Sequence, residues 1–427
     1  MPGRRLKILA SAYACHPAPT VEAFPGEAIL GWNLAREISR RHDLHVLTMT
    51  FNRPALETAV RRGAIENVKF HFLDLPPAIR RAMRNRHYGL RLYYFFWQVM
   101  AGRQARRLQR KETFDLFHHL TFSNDWMPSY AGDALPIPFV WGPVGGGQSV
   151  PKPLLAVLSR RDARRERLRV LLQRFWRMTP ARRRCARKAA AILVCNEETR
   201  ADFRAEADKL WDFPVNGISV SDLASAEVPA GAETAGRSAA AGLRVLYAGR
   251  LDGIKGLSLG LRGFQGFVAE FPSSTWEVIG EGPEKKPLER LAAELAVSDK
   301  VSLKPWLSRE ELASRMKACD VVLFPSLRDG GGAVVVEAMA LGKPVVSLDV
   351  GGPGFHLRPE WGIKIPCQDP SAVIAAIAAA LAELGRDPER RARLGSAARQ
   401  RAAEFYLWER LGERVDRVYQ SVLEKRG

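Results

Sequence analysis

Asp329 and Glu337 stand eight positions apart in the run FPSLRDGGGAVVVEAMALGKPVV, Phe324 to Val346. Between them Gly330, Gly331 and Gly332 carry no side chain, so backbone N–H groups can approach a ligand where a helix opens near Ala333. Such a start suits an anionic group such as a diphosphate, and a carboxylate on either side can accept hydroxyl protons from a sugar and a ribose. Earlier in the same half of the chain, Arg250 and Lys255 stand five apart in YAGRLDGIKGL, a glycine-flanked loop after an apolar run. Both can donate charge-assisted hydrogen bonds to the terminal phosphate of such a group. No D-x-D triplet occurs in the sequence, so the acid pair that clamps a metal onto a diphosphate has no candidate. Cationic side chains and the helix start are expected to do that work without Mg²⁺ or Mn²⁺, and no cofactor is expected.

Elements must bring these groups together. VVLF (Val321 to Phe324) reads as a buried strand, followed by the glycine loop, a helix and a second strand from Pro344 to Ser347. LRVLYA, WEVIG and KVSL are further strands of the second half. In the first half KILASAY, LHVLTMT, VKFHFL, FDLFHHL, IPFVW and AAILVC alternate with helical patterns, including Gly26 to Arg41. Short apolar runs alternating with helices predict parallel strands joined by crossover helices. Residues Leu223 to Gly242 are rich in Ala, Gly and Pro and read as a linker.

The acid-x7-acid spacing resembles that of retaining glycosyltransferases of family 4, which have the two-domain GT-B fold. YAGRLDGIKGL is similar to the family's strand–GRL–x3–KG segment, whose Arg and Lys bind the donor diphosphate. IGEGP (Ile279 to Pro283) is similar to its nucleotide-side loop, which places Gly280, Glu281 and Gly282 by the base. VNGI (Val215 to Ile218) resembles the NG-I/V-D signature at the start of the second domain, with Ser219 where Asp is usual. AYACHPAPTVEAFPGEAILGWN, ending at Asn33, and VWGPVGGG, Val140 to Gly147, resemble a bacterial subgroup.

The resemblance implies an α/β GT-B fold of two Rossmann-like domains with parallel sheets facing across a cleft. It implies an acceptor domain over residues 1–214, a donor domain over 215–402, and a last helix, 403–427, crossing back onto the first domain. Asp329 then positions the transferred sugar, Glu337 holds the ribose, and Ala333 and Gly26 sit at helix starts near the diphosphate. Asp329 stands where Glu is more common and Gly331 where Phe is usual, so the sugar does not carry over from other members. His118 and His119 end a strand where members often place a reactive-centre His; opposite faces let only one point inward, and His119 is the choice. Gly145, Gly146 and Gly147 would form an acceptor-side turn.

A chain of 427 residues fits two domains of roughly 200. Its five cysteines include no C-x-x-C pair, which predicts buried thiols in a reducing compartment. No run reaches the roughly 18 apolar residues of a membrane span. The net charge of +19 is localised: Ile79 to Lys111 carries +10 and Arg160 to Lys188 +11, leaving about −2 elsewhere. Apolar residues are interleaved, among them Tyr93, Tyr94, Phe96 and Trp97 in one segment and Leu168, Leu171, Leu172, Phe175 and Trp176 in the other. Basic amphipathic helices with aromatics read as surfaces for anionic lipid.

These features predict a hexosyltransferase using a nucleotide sugar, cytoplasmic and peripheral on the inner membrane face, with a lipid-linked or envelope-glycan acceptor. Another GT-B reaction, a sugar-nucleotide epimerase or a phosphorylase, would share the fold. A non-catalytic nucleic-acid-binding protein would account for the charge but not for the two spaced carboxylates, and no nucleic-acid module motif occurs.

Overall fold

The computed structural model describes residues 4–18, 25–76, 89–224 and 242–425. The chain forms two compact units, Met1–Gly147 with Leu171–Val215 and Trp408–Gly427, and Gln148–Val170 with Asn216–Leu407. Both are α/β units built on parallel sheets.

In the first unit β1 (Lys7–Ala12), β2 (Asp43–Met49), β3 (Val68–Leu73), β4 (Leu116–Thr121), β5 (Phe139–Val144), β6 (Ala191–Val194) and β7 (Leu210–Asp212) form one sheet. Their order is β3-β2-β1-β4-β5-β6-β7, with Ile8 of β1 opposite Leu44 of β2 and Leu116 of β4. Alternate residues feed two separate apolar clusters. Ile8, Ala10, Leu116 and Val140 join one, while Leu9, Phe117, Phe139 and Trp141 join the other. Strands β1, β2, β4, β5 and β6 are therefore buried on both faces, which is why they read as continuous apolar runs.

Helix α1 (Pro25–Arg41) covers the first face through Leu30, Leu34 and Ile38. Helix α2 (Gly89–Lys111) covers the second, and here the structure corrects the sequence reading. Tyr93, Tyr94 and Trp97 are buried in the core, with the Trp97 indole N–H donating to the Leu73 carbonyl (3.2 Å). They pack on the sheet because an aromatic stripe at helical spacing is the face that covers it; Leu92 and Phe96 remain exposed. Arg80, Arg81 and Arg84 lie outside the described residues. Helices α3 (Arg160–Arg177) and α4 (Pro180–Lys188) carry the second basic segment.

The second unit holds a six-stranded sheet of order β10-β9-β8-β11-β12-β13. Its strands are β8 (Arg244–Ala248), β9 (Thr275–Ile279), β10 (Val301–Lys304), β11 (Val321–Phe324), β12 (Val345–Leu348) and β13 (Ile363–Ile365). Helices α5 (Leu257–Val268), α6 (Ala333–Ala340), α7 (Gly351–His356), α8 (Pro370–Arg386) and α9 (Pro388–Phe405) surround one apolar cluster. Val150, Leu154, Leu158 and Ala163 belong to that cluster. Their burial draws residues 148–170 into the second unit, where the sequence reading had left them in the first. Edge strands β7 and β13, three residues each, were absent from that reading.

The last helix, α10 (Trp408–Glu424), belongs to the first unit. The sequence suggested one helix over residues 403–427. Instead α9 ends at Phe405, the Ile218 amide donates to the Tyr406 carbonyl (2.8 Å), and α10 opens at Trp408. Cys15, Cys185, Cys195 and Cys319 are buried and Cys367 is half-buried, all as free thiols. Among the described residues no helix is long and apolar enough to cross a membrane.

Candidate active site

In the second unit the sheet order reverses between β8 and β11, with β9 on the far side of β8. The loops leaving the carboxyl ends of parallel strands at such a point form a crevice where ligands bind. Those loops carry the residues singled out above: Gly249–Gly256 after β8, Gly280–Gly282 after β9 and Pro325–Gly332 after β11.

The loop after β11 is held by Asp329. One carboxylate oxygen pairs with the Lys255 ammonium; the other accepts from the amides of Gly331 (3.0 Å) and Gly332 (2.7 Å). Burial alone would raise this carboxyl, but the Lys255 charge and the bonds from Lys255, Gly332 and Gly331 outweigh it and hold the group below the usual range. Asp329 thus occupies two of the amides that the sequence offered to a ligand. Helix α6 starts one residue later, its first bond running from the Val335 amide to the Gly332 carbonyl (2.9 Å). The amides of Ala333 and Val334 have no acceptor within the helix and are its next donors.

Gly332 caps α6 in the left-handed region (φ 59°), a conformation that favours glycine. The loop is stitched to the segment after β12: the Gly352 amide donates to the Asp329 carbonyl (3.0 Å), and a Cβ on Gly352 would lie 2.6 Å from the Gly331 carbonyl carbon. The Gly331 carbonyl accepts from Asn216 Nδ2 (2.6 Å) and from His356 Nε2 (2.5 Å). Burial lowers His356 to about 4, so the ring is neutral. With Nε2–H donating to a carbonyl, Nδ1 must accept from the Tyr406 hydroxyl (2.8 Å). Sequence reasoning missed Asn216, His356, Tyr406 and Gly352; the NG of VNGI and the GGPG run at Gly351–Gly354 were the available signals.

Glu337, one turn inside α6, is half-buried. Burial pushes its carboxyl up to about 7, partly offset by the charge of Arg309, which itself pairs with Asp222 (2.9 Å). Glu337 therefore sits near half-ionisation at neutral pH. Lys255 lies 5.5 Å from the Phe324 ring centre as well as on Asp329. Arg250 is exposed and folds onto Asp252 (2.8 Å), while its carbonyl accepts from the Tyr247 hydroxyl (2.9 Å). Such an exposed pair is weak enough to open for a phosphate.

Gly280 (φ 145°) and Gly282 (φ 159°) have an internal reason to be glycine. A Cβ on Gly280 would lie 1.9 Å from the Gly249 carbonyl oxygen, and one on Gly282 2.4 Å from that of Leu251. The loops after β8 and β9 are zipped by backbone bonds, including Leu251 N–H to Glu281 O (2.9 Å). The Glu281 side chain is exposed. A Cβ on Gly330 would sit 3.2 Å from Gln148 Nε2, and Ala333 is exposed.

The first unit gives a different outcome for the histidines. His118 is buried, donating from Nε2 to the Gly142 carbonyl (2.8 Å) and accepting at Nδ1 from Tyr419 of α10 (2.6 Å). His119 is buried on the other face, its Nε2 3.3 Å from the Tyr94 hydroxyl. Burial lowers the two rings to about 3 and about 4. Neither ring is exposed, because both faces of this central strand are core.

Gly146 (φ 111°) would bring a Cβ within 2.7 Å of Asp125, and Gly147 within 2.3 Å of the Thr199 amide. Gly145 would meet Cys195 Sγ at 2.6 Å. This turn is glycine for packing. Gly26, in the first turn of α1, is exposed, and a Cβ there would meet nothing. Beside it Glu27, unmarked in the sequence reading, accepts from the Ser123 amide (3.0 Å) and hydroxyl (3.2 Å), and burial pushes it up to about 7.

Comparison with known proteins bears on the second unit most directly. Residues 238–401 match the family described as Glycosyl transferases group 1. A D-inositol 3-phosphate glycosyltransferase of Thermobispora bispora is 34% identical over 191 residues, 42% of this chain and 44% of that protein. An alpha-D-kanosaminyltransferase of Streptomyces kanamyceticus is 25% identical over 252 residues, 57% of this chain and 63% of that one. The chain thus spans about half the length of the curated relatives it matches. Among solved structures, HepE of Anabaena in complex with UDP superposes with a TM-score of 0.60 at 16% identity, over 97% of this chain and 100% of that one. That likeness shows a shared fold, GT-B, with two Rossmann-like units.

Proposed function

We propose that this protein is a retaining, metal-independent glycosyltransferase that moves a hexosyl unit from a nucleoside-diphosphate sugar to a lipid-linked or envelope-glycan acceptor at the inner membrane face. The observation that carries the reading is the convergence of Lys255, Asp329 and the α6 amino terminus in loops leaving adjacent strands, with Glu337 one turn further on. The match of residues 238–401 to Glycosyl transferases group 1 covers all of these residues and supports it. The UDP-bound state of HepE supports a nucleotide-sugar donor.

In this reading Lys255 and Arg250 turn toward the diphosphate, and Glu337 accepts the ribose hydroxyls. The bond from the anomeric carbon to the β-phosphate oxygen breaks with its electrons moving onto that oxygen. The cations and the Ala333 and Val334 amides stabilise the charge as it forms. The acceptor oxygen bonds to the anomeric carbon on the face just vacated, and its proton passes to the departing phosphate. Asp329 holds Lys255 and the loop in register and positions the sugar; no covalent sugar–carboxylate intermediate is invoked.

Thermal stabilisation against UDP, GDP and ADP sugars tests the donor, since a ligand at 100 times its Kd adds about 2.7 kcal/mol. One nucleotide series should raise Tm and be consumed on adding acceptor, with the anomeric configuration retained by NMR. No stabilisation by any of the three, or an inverted product, overturns the reading.

A further inference from the structure

We propose that the outward face of α3 is a bilayer-docking element that seats in the headgroup and upper acyl region of an anionic membrane leaflet. The proposal deepens the membrane-side part of the function proposed above and rests on it. Helix α3 has two unlike faces. Ala163 and Glu166 are buried, and Arg169, Val170, Gln173 and Arg177 follow at helical spacing as half-buried positions. On the opposite side Leu168, Leu171, Leu172 and Phe175 repeat at i, i+3, i+4 and i+7, with Trp176 beside them and Met178 just past the helix end.

These side chains are exposed to an unusual degree: 65% for Leu171, Phe175 and Met178, and 42% for the least exposed, Trp176. Six of the twelve large exposed apolar residues among those described fall within residues 168–178. Scattered exposed apolar residues need no explanation, but a contiguous group of this kind marks an interaction surface.

Charge identifies the partner. Stepping back from Leu168 by threes and fours, the same face continues through Arg164, Arg165 and Arg161, all exposed, and Arg167 and Arg174 flank it. The two acids of α3 are turned away. Glu166 is buried, accepting from the Val150 amide (3.1 Å) and pairing with Arg169 and Arg328. Asp162 is half-buried and accepts from Ser159 (2.7 Å), and its contact with Arg165 is long (3.8 Å) and leaves that guanidinium exposed. The exposed face is therefore cationic at one end and apolar at the other.

An anionic leaflet satisfies both: guanidiniums reach the phosphates while Leu, Phe and Trp enter the acyl boundary. A second copy of the chain would set arginines against arginines, and a nucleic acid would leave the leucines and phenylalanine in water.

The full chain is tested by co-sedimentation with 3:1 phosphatidylcholine/phosphatidylglycerol vesicles and with phosphatidylcholine alone, comparing wild type with Leu171→Ser/Phe175→Ser. Both positions are exposed, so the fold should hold. Wild type should pellet with anionic vesicles, and the variant's partition should fall about a hundredfold, the worth of two such side chains leaving an apolar phase. Equal pelleting of the two overturns the α3 surface while leaving a membrane-borne acceptor in place. Failure of wild type to pellet with anionic vesicles overturns the surface and the membrane-borne acceptor together. A lipid-free dimer in sedimentation velocity that the variant dissolves also overturns it, assigning the face to self-association. Donor-sugar stabilisation, measured on the same samples, reports the transferase site separately: its absence in both proteins defeats that reading whatever the vesicles show.

Discussion

Replacing Glu337 by glutamine keeps the shape of the side chain and removes its titration. In the folded protein burial sets this carboxyl at about 7, so at pH 6 it is mostly protonated and at pH 8 mostly ionised. A protonated carboxyl offers one fewer acceptor to a ribose diol, so the competent form is the carboxylate. If only that form binds, apparent affinity scales with its fraction, and the Kd for a nucleotide sugar should fall about tenfold between pH 6 and pH 8. The donor itself must not titrate in this range; UDP-glucose, whose phosphates are both diesters, meets that need where UDP does not. Calorimetric Kd values at half-unit steps should give this slope for wild type and a flat, weak profile for Glu337→Gln. The stability sign is opposite. A carboxyl whose folded pKa is raised favours the folded state below its unfolded value of 4.5, and that advantage is lost as pH rises through about 7. Glu337→Gln without ligand should therefore raise Tm at pH 8 and leave it unchanged at pH 3.5. Glu27 also lies at about 7, so Glu27→Gln is the control and should keep the wild-type slope. A flat wild-type profile, or a slope that survives in Glu337→Gln, refutes the assignment of Glu337 to the ribose.

Asp329→Asn removes the charge that holds Lys255 while keeping an oxygen for the Gly331 and Gly332 amides; turnover should drop by about ten- to a thousandfold with nucleoside-diphosphate affinity undiminished. Steady-state kinetics beside calorimetry separate the two, and a parallel loss of affinity would return Asp329 to simple ligand binding. Gly280→Ala drives a Cβ into the Gly249 carbonyl and should cost about 3 kcal/mol or more in denaturant unfolding; an unchanged midpoint would show that the loops after β8 and β9 are not locked together. Activity should survive EDTA, and restoration only by added divalent metal would remove the cationic account of leaving-group stabilisation.

The spacing of Asp329 and Glu337, the three glycines and the strand before them placed the candidate site from local pattern alone, because a strand–loop–helix unit is contiguous in sequence. What holds that unit was not legible. Asn216 and His356 reach the Gly331 carbonyl, and Tyr406 reaches His356, from segments far apart in the chain, and a lone Asn or His carries no sign of such a target. The burial of His118 and His119 was equally hidden: two adjacent histidines at the end of a strand look alike whether the strand edge is open or buried on both faces. Tyr93, Tyr94 and Trp97 failed for a related reason, since an aromatic helical stripe can cover a sheet as readily as a membrane, whereas Leu171 and Phe175 proved exposed. Residues 148–170 follow a first-unit strand in sequence and yet fold with the second unit, and only the burial of Leu154 and Leu158 reveals it. Strands β7 and β13 were too short and too polar for a period to register.

The assignment of the second unit to donor binding turns on Lys255 meeting the terminal phosphate. Calorimetry of the nucleoside diphosphate against the matching monophosphate, for wild type and Lys255→Ala, measures this directly. Wild type should prefer the diphosphate by more than about tenfold, and Lys255→Ala should lose about a tenfold share of that preference, the worth of one charge-assisted hydrogen bond, with its monophosphate affinity unchanged. Equal affinities in wild type, or a preference undiminished in Lys255→Ala, would contradict it.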